Sequence, residues 1–185
     1  VEHLAGAPGL TLEPHPLDYI FHPRAVAVVG ATDQPRRSGY NFFKLQLDNG
    51  FPGPVYPVNP RLSSVLGVPA YPSLQAIPGP VDHVISCVPA REVPALVEDC
   101  IAKGVKTLHL FTARLAETGL SELADLERRL VQRAKGAGIR IIGPNCMGLY
   151  YPREGLAFKP NFPQEPGSLG FFSQSGNISA EFICR

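Results

Sequence analysis

The sequence lacks the features that would place the protein at a membrane or on a nucleic acid. Its 17 Lys and Arg nearly balance 16 Asp and Glu, so a net charge of +1 offers no global field to recruit nucleic acid or anionic lipid. No apolar run approaches the ~20 residues that span a bilayer. Residues 1–10 show no basic region ahead of an apolar stretch, as a signal peptide would. We therefore expect a cytoplasmic protein with no membrane and no nucleic-acid partner.

Cysteine is scarce, and its spacing argues against two kinds of site. The chain has no CxxC motif and no Cys/His cluster at zinc spacing, so we expect no metal site. A disulfide framework is also not expected in a chain of this size, and reduced thiols are typical of the cytoplasm. The cysteines are Cys87, Cys100, Cys146 and Cys184.

An alternation of apolar runs and helical patterns organises most of the chain. Pro and Gly punctuate residues 1–17, which predicts an N-terminal arm. Helical patterns separate the apolar runs that follow, and runs this continuous are typical of parallel strands buried on both faces. The sequence therefore predicts a Rossmann-like, doubly wound α/β domain over residues 18–150, with a mainly parallel sheet. The runs are Ala25–Val29, Pro54–Val58, Val81–Val88, Val105–Phe111 and Ile139–Ile142.

The C-terminal part has a different pattern. A Pro-rich connection covers residues 151–166, Ser168–Phe172 predicts one more strand, and a helix is predicted to start at Ser175. Since so short a helix cannot bury its apolar face, we expect the protein to continue beyond Arg185.

Ligands of doubly wound sheets bind where strands end at their carboxyl side, so the loops there carry the candidate residues. After the first run, Gly30 lets the backbone approach an anion, and Thr32 and Ser38 offer hydroxyls. Arg36 and Arg37 add positive charge near a helix N-terminus. The alternative is a tight turn with a solvated arginine pair.

The loop after the second run bears on the choice of nucleotide. Binders of NAD normally place an acid here to accept from the ribose hydroxyl, but this chain has Asn59 followed by the cation Arg61. Neither GxGxxG nor GxxxxGK[ST] occurs anywhere. The pattern disfavours NAD and favours a phosphorylated ribose, as in NADP or the 3′-phosphate of CoA. The alternative is an Asn-Pro turn with a surface arginine.

The later loops offer weaker candidates. Pro89 closes the third run and is structural by default, whereas Thr112 ends the fourth run with a hydroxyl. Asn145 and Cys146 lie in a Gly-bracketed loop, with an Asx turn and a small packed thiol as the alternatives. Two serines, a glycine and an asparagine precede the last helix and predict an anion site at its N-terminus, an ordinary N-cap serine being the alternative.

In this order, the loops resemble the CoA-binding domain of NDP-forming acyl-CoA synthetases, such as ADP-forming acetyl-CoA synthetase. They more distantly resemble the α subunit of succinyl-CoA synthetase. The likeness spans about Leu17 to Arg185, and GPNC-x-G together with SQSG is its most specific part. The matching stretches are FHPRAVAVVGAT at 21–32, GPVYPVNPR at 53–61, PSLQAIPGPVDHVISCVPA at 72–90, KGVKTLHLFTA at 103–113, GIRIIGPNCMGLY at 138–150 and PGSLGFFSQSG at 166–176.

The resemblance implies that CoA lies across the strand ends. The phosphates would face the loop of Gly30, the nucleotide end would lie near Arg61, and the reactive end near Thr112 and Cys146. The implied CoA-binding residues are Gly30, Ala31, Thr32, Ser38, Gly39, Pro60, Arg61, Val88, Pro89, Thr112, Asn145 and Cys146.

The resemblance also implies chemistry outside these residues. Ser175, Gly176 and Asn177 match a helix start that receives a phosphorylated histidine, which would lie beyond Arg185. Residues 151–185 would be a linker and the first strand and helix of a second, flavodoxin-like ligase domain. An ATP-grasp domain or subunit would bind NTP and Mg²⁺. None of the five histidines matches the phosphorylated one, so no catalytic residue is expected in this chain.

The implied reaction is acid + CoA + NTP ⇌ acyl-CoA + NDP + phosphate, through an acyl phosphate and a phosphohistidine. The partners would be CoA, a carboxylic acid and the ATP-grasp unit, in a homo- or hetero-oligomer, and the chain alone would bind CoA without turnover. Two departures from the family are Arg114, where glycine is common, and Asn177, where a small or hydroxyl residue is usual. Two alternatives stay open: a non-catalytic CoA-sensing module, for example one fused to an acyltransferase, and an NADP-dependent oxidoreductase.

Overall fold

The computed structural model describes residues 15–184, so most of the predicted arm, residues 1–14, lies outside the described residues. Short 3-10 turns at Asp18–Ile20, Ala90–Glu92, Ala116–Thr118 and Pro152–Glu154 join the main elements. The main elements in chain order are β1 (Val26–Val29), α1 (Ser38–Asp48), β2 (Val55–Val58), β3 (Ser64–Val65), β4 (Val68–Pro69), β5 (His83–Ser86), α2 (Val93–Lys103), β6 (Thr107–Leu110), α3 (Ser121–Gly136), β7 (Arg140–Ile142) and α4 (Gly176–Ile183).

The central sheet has five parallel strands in the order β2-β1-β5-β6-β7. All five apolar runs of the sequence supply one strand each, and the small antiparallel pair β3–β4 lies apart from them. Strands β1, β5 and β6 are central, and nearly all of their residues are buried, as is typical of parallel strands covered on both faces. The polar side chains of β5 and β6, such as His83 and His109, are buried with the apolar ones. The predicted Rossmann-like α/β fold is confirmed.

Helices cover both faces of the sheet and make it doubly wound. One face packs against α2 and α3, through buried side chains such as Val97 and Leu130. The other face packs against α1, where Phe42 and Phe43 are buried against Val26 and its neighbours. Helix α2 ends at Gly104, which adopts the left-handed conformation with φ 74° that lets a helix stop without strain.

The strand order creates a crevice beside β1. The chain leaves β1 to form β2 on one side and later forms β5 on the other side, so the loops after these strands diverge. Such a topological switch point is where open α/β sheets bind their ligands.

The strand predicted at 168–172 is wrong: this segment is irregular. A strand needs a neighbour for its N–H and C=O groups, and no strand among the described residues lies beside it. Leu169 and Phe172 are accordingly 83% and 93% exposed. The following helix α4 does form, because its hydrogen bonds are local and need no partner strand.

The first half of the predicted linker packs against the domain. Leu156, Phe158 and Phe162 are buried in the apolar cluster on the α1 side of the sheet. The buried Gln46 of α1 donates from Nε2 to the carbonyl of Ala157 at 3.0 Å and so ties this segment down. The Pro-rich composition gave no sign of this packing, because it depends on side chains distant in sequence.

Candidate functional site

A cavity lies at the switch point, at the carboxyl ends of β1, β2 and β5. Its volume is about 470 Å³, within the ordinary range of small-molecule sites. Half of the residues implied to bind CoA line it: Gly30, Thr32, Pro60, Arg61, Val88 and Pro89.

Bare backbone forms one wall of the cavity at Gly30. This residue has φ +89°, and a Cβ built on it would lie 3.0 Å from the carbonyl oxygen of Cys87. A side chain here would be strained and crowded, whereas glycine lets the ends of β1 and β5 stay close. An anionic ligand can therefore approach the main chain directly at this point.

Gly39 lets helix α1 approach the end of β1 closely. A Cβ on Gly39 would overlap the carbonyl oxygen of Gly30, so the first turn of α1 lies directly against the end of β1. Gly39 and Ser38 do not line the cavity. The structure thus gives Gly39 a packing role, the role that the third glycine of dinucleotide-binding turns fulfils.

Asn59 links two loops of the site. Its Nδ2 donates to the carbonyl of Ala31 at 2.8 Å, and its Oδ1 accepts from the N–H of Arg61 at 2.9 Å. The Asn-Pro turn considered as an alternative is therefore present, and it holds the backbone of Arg61 in place. The Arg61 side chain lines the cavity and makes no hydrogen bond or ion pair with the described residues. Its guanidinium is available to a ligand.

The Cys87 thiol at the cavity wall is protonated at neutral pH. Burial raises the pKa of the Cys87 thiol to about 12, although the Ser38 hydroxyl bonds to it and acts in the opposite direction. Cys87 lines the cavity as a protonated thiol and is no nucleophile at neutral pH.

The loops after β6 and β7 lie beside the cavity rather than in it. Thr112 is 6% exposed, and its carbonyl accepts from the N–H of Asn145 at 3.0 Å. The N–H of Cys146 donates to the carbonyl of Leu110 at 3.3 Å. None of Thr112, Asn145 and Cys146 lines the cavity.

The helix start of α4 contacts the loop after β7. Ser175 is its N-cap, and the hydroxyl of Ser175 accepts from the N–H of Ile178 at 3.4 Å. A Cβ on Gly176 would overlap the side chain of Met147, so glycine permits a close approach there. Asn177 is exposed.

Arg114, one of the two departures from the family pattern, has a backbone conformation that favours glycine. It has φ 70°, in the left-handed region that favours glycine. Glycine, common at this position in the family, would adopt this conformation without strain. The conformation is braced by the Glu117 carboxylate, which accepts from the N–H groups of Arg114 and Leu115.

Sequence reasoning missed most of the cavity lining. Arg91 is a second cation of the lining, and its place just after Pro89 was a usable signal. The segment before β5 had no such signal, because its approach to β2 is a tertiary contact. The missed residues are Val29, Gln34, Val58, Leu62, Pro72, Ser73, Leu74, Cys87, Arg91, Glu92, Leu96 and Asp99.

The structure adds two observations on other kinds of site. Within residues 15–184 there is no group of three or more His, Cys, Asp and Glu side chains that could hold a metal ion. In the same part of the chain, no helix is both long and apolar enough to cross a bilayer.

Comparison with known proteins identifies the family. The family described as a CoA binding domain matches residues 24–152, which include the whole sheet and the cavity. The chain belongs to this family.

Full-length relatives place the domain in context. The chain is 42% identical over 169 residues to the acetate–CoA ligase (ADP-forming) II subunit alpha of Pyrococcus furiosus, covering 91% of this chain and 36% of that protein. It is 40% identical over 163 residues to the acetate–CoA ligase (ADP-forming) I of Archaeoglobus fulgidus, covering 86% of this chain and 23% of that protein. The chain thus spans about a third or less of these curated relatives.

Solved structures agree with this assignment. A crystal structure of a Pyrococcus horikoshii OT3 protein superposes with a TM-score of 0.84 at 40% identity, covering 91% of this chain and 38% of that one. The dinucleotide-forming acetyl-coenzyme A synthetase 1 of Ca. Korarchaeum cryptofilum, in complex with phosphate and ADP, gives a TM-score of 0.80 at 36% identity, covering 91% and 36%.

Proposed function

We propose that this chain is the CoA-binding portion of an NDP-forming acyl-CoA synthetase. The observation that carries the proposal is the cavity at the switch point of a CoA-binding domain, with bare backbone at Gly30 and an unpaired guanidinium at Arg61. The whole protein would convert acid, CoA and NTP into acyl-CoA, NDP and phosphate, as the names of the relatives suggest. The chain alone would bind CoA without turnover.

The arrangement of charge suits a ligand with several phosphates. Arg61 follows β2 and Arg91 follows β5, so the two cations flank the Gly30 loop that follows the strand between them. CoA carries a diphosphate and a 3′-phosphate, and arginine binds phosphate through charge-assisted hydrogen bonds. The diphosphate would lie at the Gly30–Thr32 backbone, and the 3′-phosphate at Arg61.

The rest of the reaction needs residues outside this chain. In the direction of acyl-CoA formation, NTP bound with Mg²⁺ in an ATP-grasp domain or subunit would phosphorylate a histidine held at the Ser175–Asn177 helix start. The phosphohistidine would pass its phosphoryl group to the carboxylic acid, and the CoA thiol would displace phosphate from the resulting acyl phosphate. The exposed apolar side chains of Leu169 and Phe172 and the stacked pair Phe171–Phe182 support a second domain that begins here. The intact enzyme would be a cytoplasmic oligomer.

Ligand preference tests the proposal directly. We expect the chain to bind CoA with a marked preference over NAD and NADP, by about tenfold or more. No carboxylate follows β2 to accept from an NAD ribose, whereas Arg61 offers a cation to the phosphate of CoA. The absence of GxGxxG from the sequence disfavours both dinucleotides, NADP included. Titration calorimetry with the three ligands measures the preference. Tighter binding of either dinucleotide would show that the cavity serves a different nucleotide.

Arg61 can be tested with a phosphate-deletion ligand. We expect Arg61→Ala to weaken CoA by around tenfold or more, since a charge-assisted contact contributes about 1.5–3 kcal/mol. The same substitution should weaken the binding of dephospho-CoA, which lacks the 3′-phosphate, by a much smaller factor. Arg153→Ala is the matched control, because Arg153 is exposed and does not line the cavity. Equal losses for both ligands would place Arg61 at another part of CoA.

A further inference from the structure

Two buried hydroxyl groups lie together where β5 and β6 end. Ser86 and Thr112 place their Oγ atoms 3.1 Å apart, and the Thr112 Oγ1 donates to the carbonyl oxygen of Val88 at 2.8 Å. Ser86 is completely buried and Thr112 is 6% exposed. The pair spans two neighbouring strands of the sheet.

The number of protons on each group determines which atom donates in each of these two hydrogen bonds. A hydroxyl has one proton, and a carbonyl oxygen can only accept, so the Thr112 proton is committed to Val88. The Ser86 hydroxyl must then be the donor in its contact with Thr112. Neither hydroxyl retains a proton to donate to a ligand.

The carbonyl oxygen of Val88, which accepts the last of these hydrogen bonds, belongs to the cavity wall. Val88 and Pro89 line the cavity, and the N–H of Glu92 donates to the carbonyl of Pro89 at 2.9 Å in the turn that leads to α2. The main-chain carbonyl of Thr112 also holds the loop after β7, through the N–H of Asn145. Thr112 therefore joins the loops that follow β5, β6 and β7.

We infer that Ser86 and Thr112 are positioning residues, which hold the Val88–Pro89 wall in the conformation that binds CoA, and that Thr112 does not contact the thiol end itself. The inference rests on the proposed function for its ligand.

The chain offers a matched control for the key variant. Thr107 is the first residue of β6 and is 1% exposed, but its hydroxyl has no hydrogen-bond partner among residues 15–184. Thr112→Val and Thr107→Val therefore make the same chemical change at two buried sites. Only the first removes a hydrogen bond to the cavity wall.

Binding of CoA and of desulfo-CoA, which lacks the thiol sulfur, distinguishes positioning from direct contact. We expect Thr112→Val to weaken both ligands by the same factor, about fivefold to tenfold, and Thr112→Ser to restore binding to within about twofold. Ser86→Ala should add little in the Thr112→Val background, because it acts through Thr112. Thr107→Val should bind as the original chain does. A loss larger for CoA than for desulfo-CoA would overturn the inference.

Hydrogen exchange provides a readout that needs no ligand. We expect Thr112→Val to speed exchange of the amides in residues 88–92 several-fold, and Thr107→Val to leave them unchanged. Failure of the original chain to bind CoA would refute the proposed function, while the exchange rates would still decide whether the pair holds this wall. Unchanged exchange in Thr112→Val would overturn the inference, even if the variant bound CoA less tightly.

Discussion

Replacing Gly39 by alanine is expected to lower the free energy of unfolding by about 2–3 kcal/mol, the upper part of the range for an overpacked contact. The added Cβ would overlap the carbonyl oxygen of Gly30, which belongs to rigid backbone at the end of β1 and cannot move aside as a side chain could. Helix α1 would have to shift away from the sheet and loosen the packing of Phe42 and Phe43. Urea unfolding followed by circular dichroism measures the loss.

Gly136→Ala is the control for this variant. Gly136 is also helical, at the end of α3, but nothing lies within 4 Å of a Cβ built on it. Alanine is the better helix former, so we expect this change to be neutral or to stabilise the protein by up to about 1 kcal/mol. If Gly39→Ala were as stable as Gly136→Ala, the close contact between α1 and the end of β1 would be disproved.

Mild acid should destabilise the protein strongly through two buried histidines. His83 and His109 are stacked with their ring centroids 6.3 Å apart on adjacent strands of the sheet. Burial lowers the pKa of His83 to about 3 and that of His109 to about 4, and the neighbouring His109 further lowers the pKa of His83. Both rings are therefore neutral in the folded protein at pH 5, but become protonated when the chain unfolds.

The sign follows from proton linkage. A histidine with a depressed folded pKa contributes stability that is present above its ordinary value of 6.5 and is lost as pH falls from there toward the folded value. Between pH 8 and pH 5, protonation of each ring in the unfolded chain lowers the free energy of unfolding by about 2 kcal/mol. The two histidines together should therefore lower it by about 4 kcal/mol. The Asp82 carboxyl does not contribute in this window, because the Arg24 guanidinium holds its pKa well below the ordinary range.

Urea unfolding at pH 8 and pH 5 tests this prediction. His83→Phe keeps a ring in the stack but removes one titrating group, so we expect it to halve the difference between the two pH values. A pH dependence of His83→Phe equal to that of the original chain would show that His83 does not cause the acid sensitivity.

One hydrogen bond fixes the tautomer of His109, although it acts against burial and by itself raises the pKa of the ring. Its Nε2 lies 2.8 Å from the carbonyl oxygen of Cys146, and since a carbonyl only accepts, Nε2 carries the ring proton. His83 Nδ1 has no partner among the described residues, which is one more reason for a low proton affinity of that ring. The amino-acid sequence shows two histidines inside apolar strands, but not that they stack.

The sequence by itself determined the strands, the helices and the side of the sheet on which a ligand binds. Apolar continuity and helical spacing are local properties, so the five strands and helices such as Ser38–Asp48 could be predicted within a few residues. Parallel strands place their carboxyl ends at one edge, and the Gly30 and Arg61 loops were therefore predicted to meet there. The resemblance of these loops to a known family supplied the ligand.

Only the tertiary structure decided which of these residues line the cavity and which hold other residues. The order β2-β1-β5 brings the Gly30, Arg61 and Pro89 loops around one cavity and leaves Thr112 and Cys146 beside it. Hydrogen-bond partners distant in sequence engage the side chains of Asn59 and Thr112. The prediction of a strand at 168–172 was wrong for the same physical reason. A strand needs a neighbouring strand to pair its N–H and C=O groups, and a local sequence pattern does not show whether that neighbour is present.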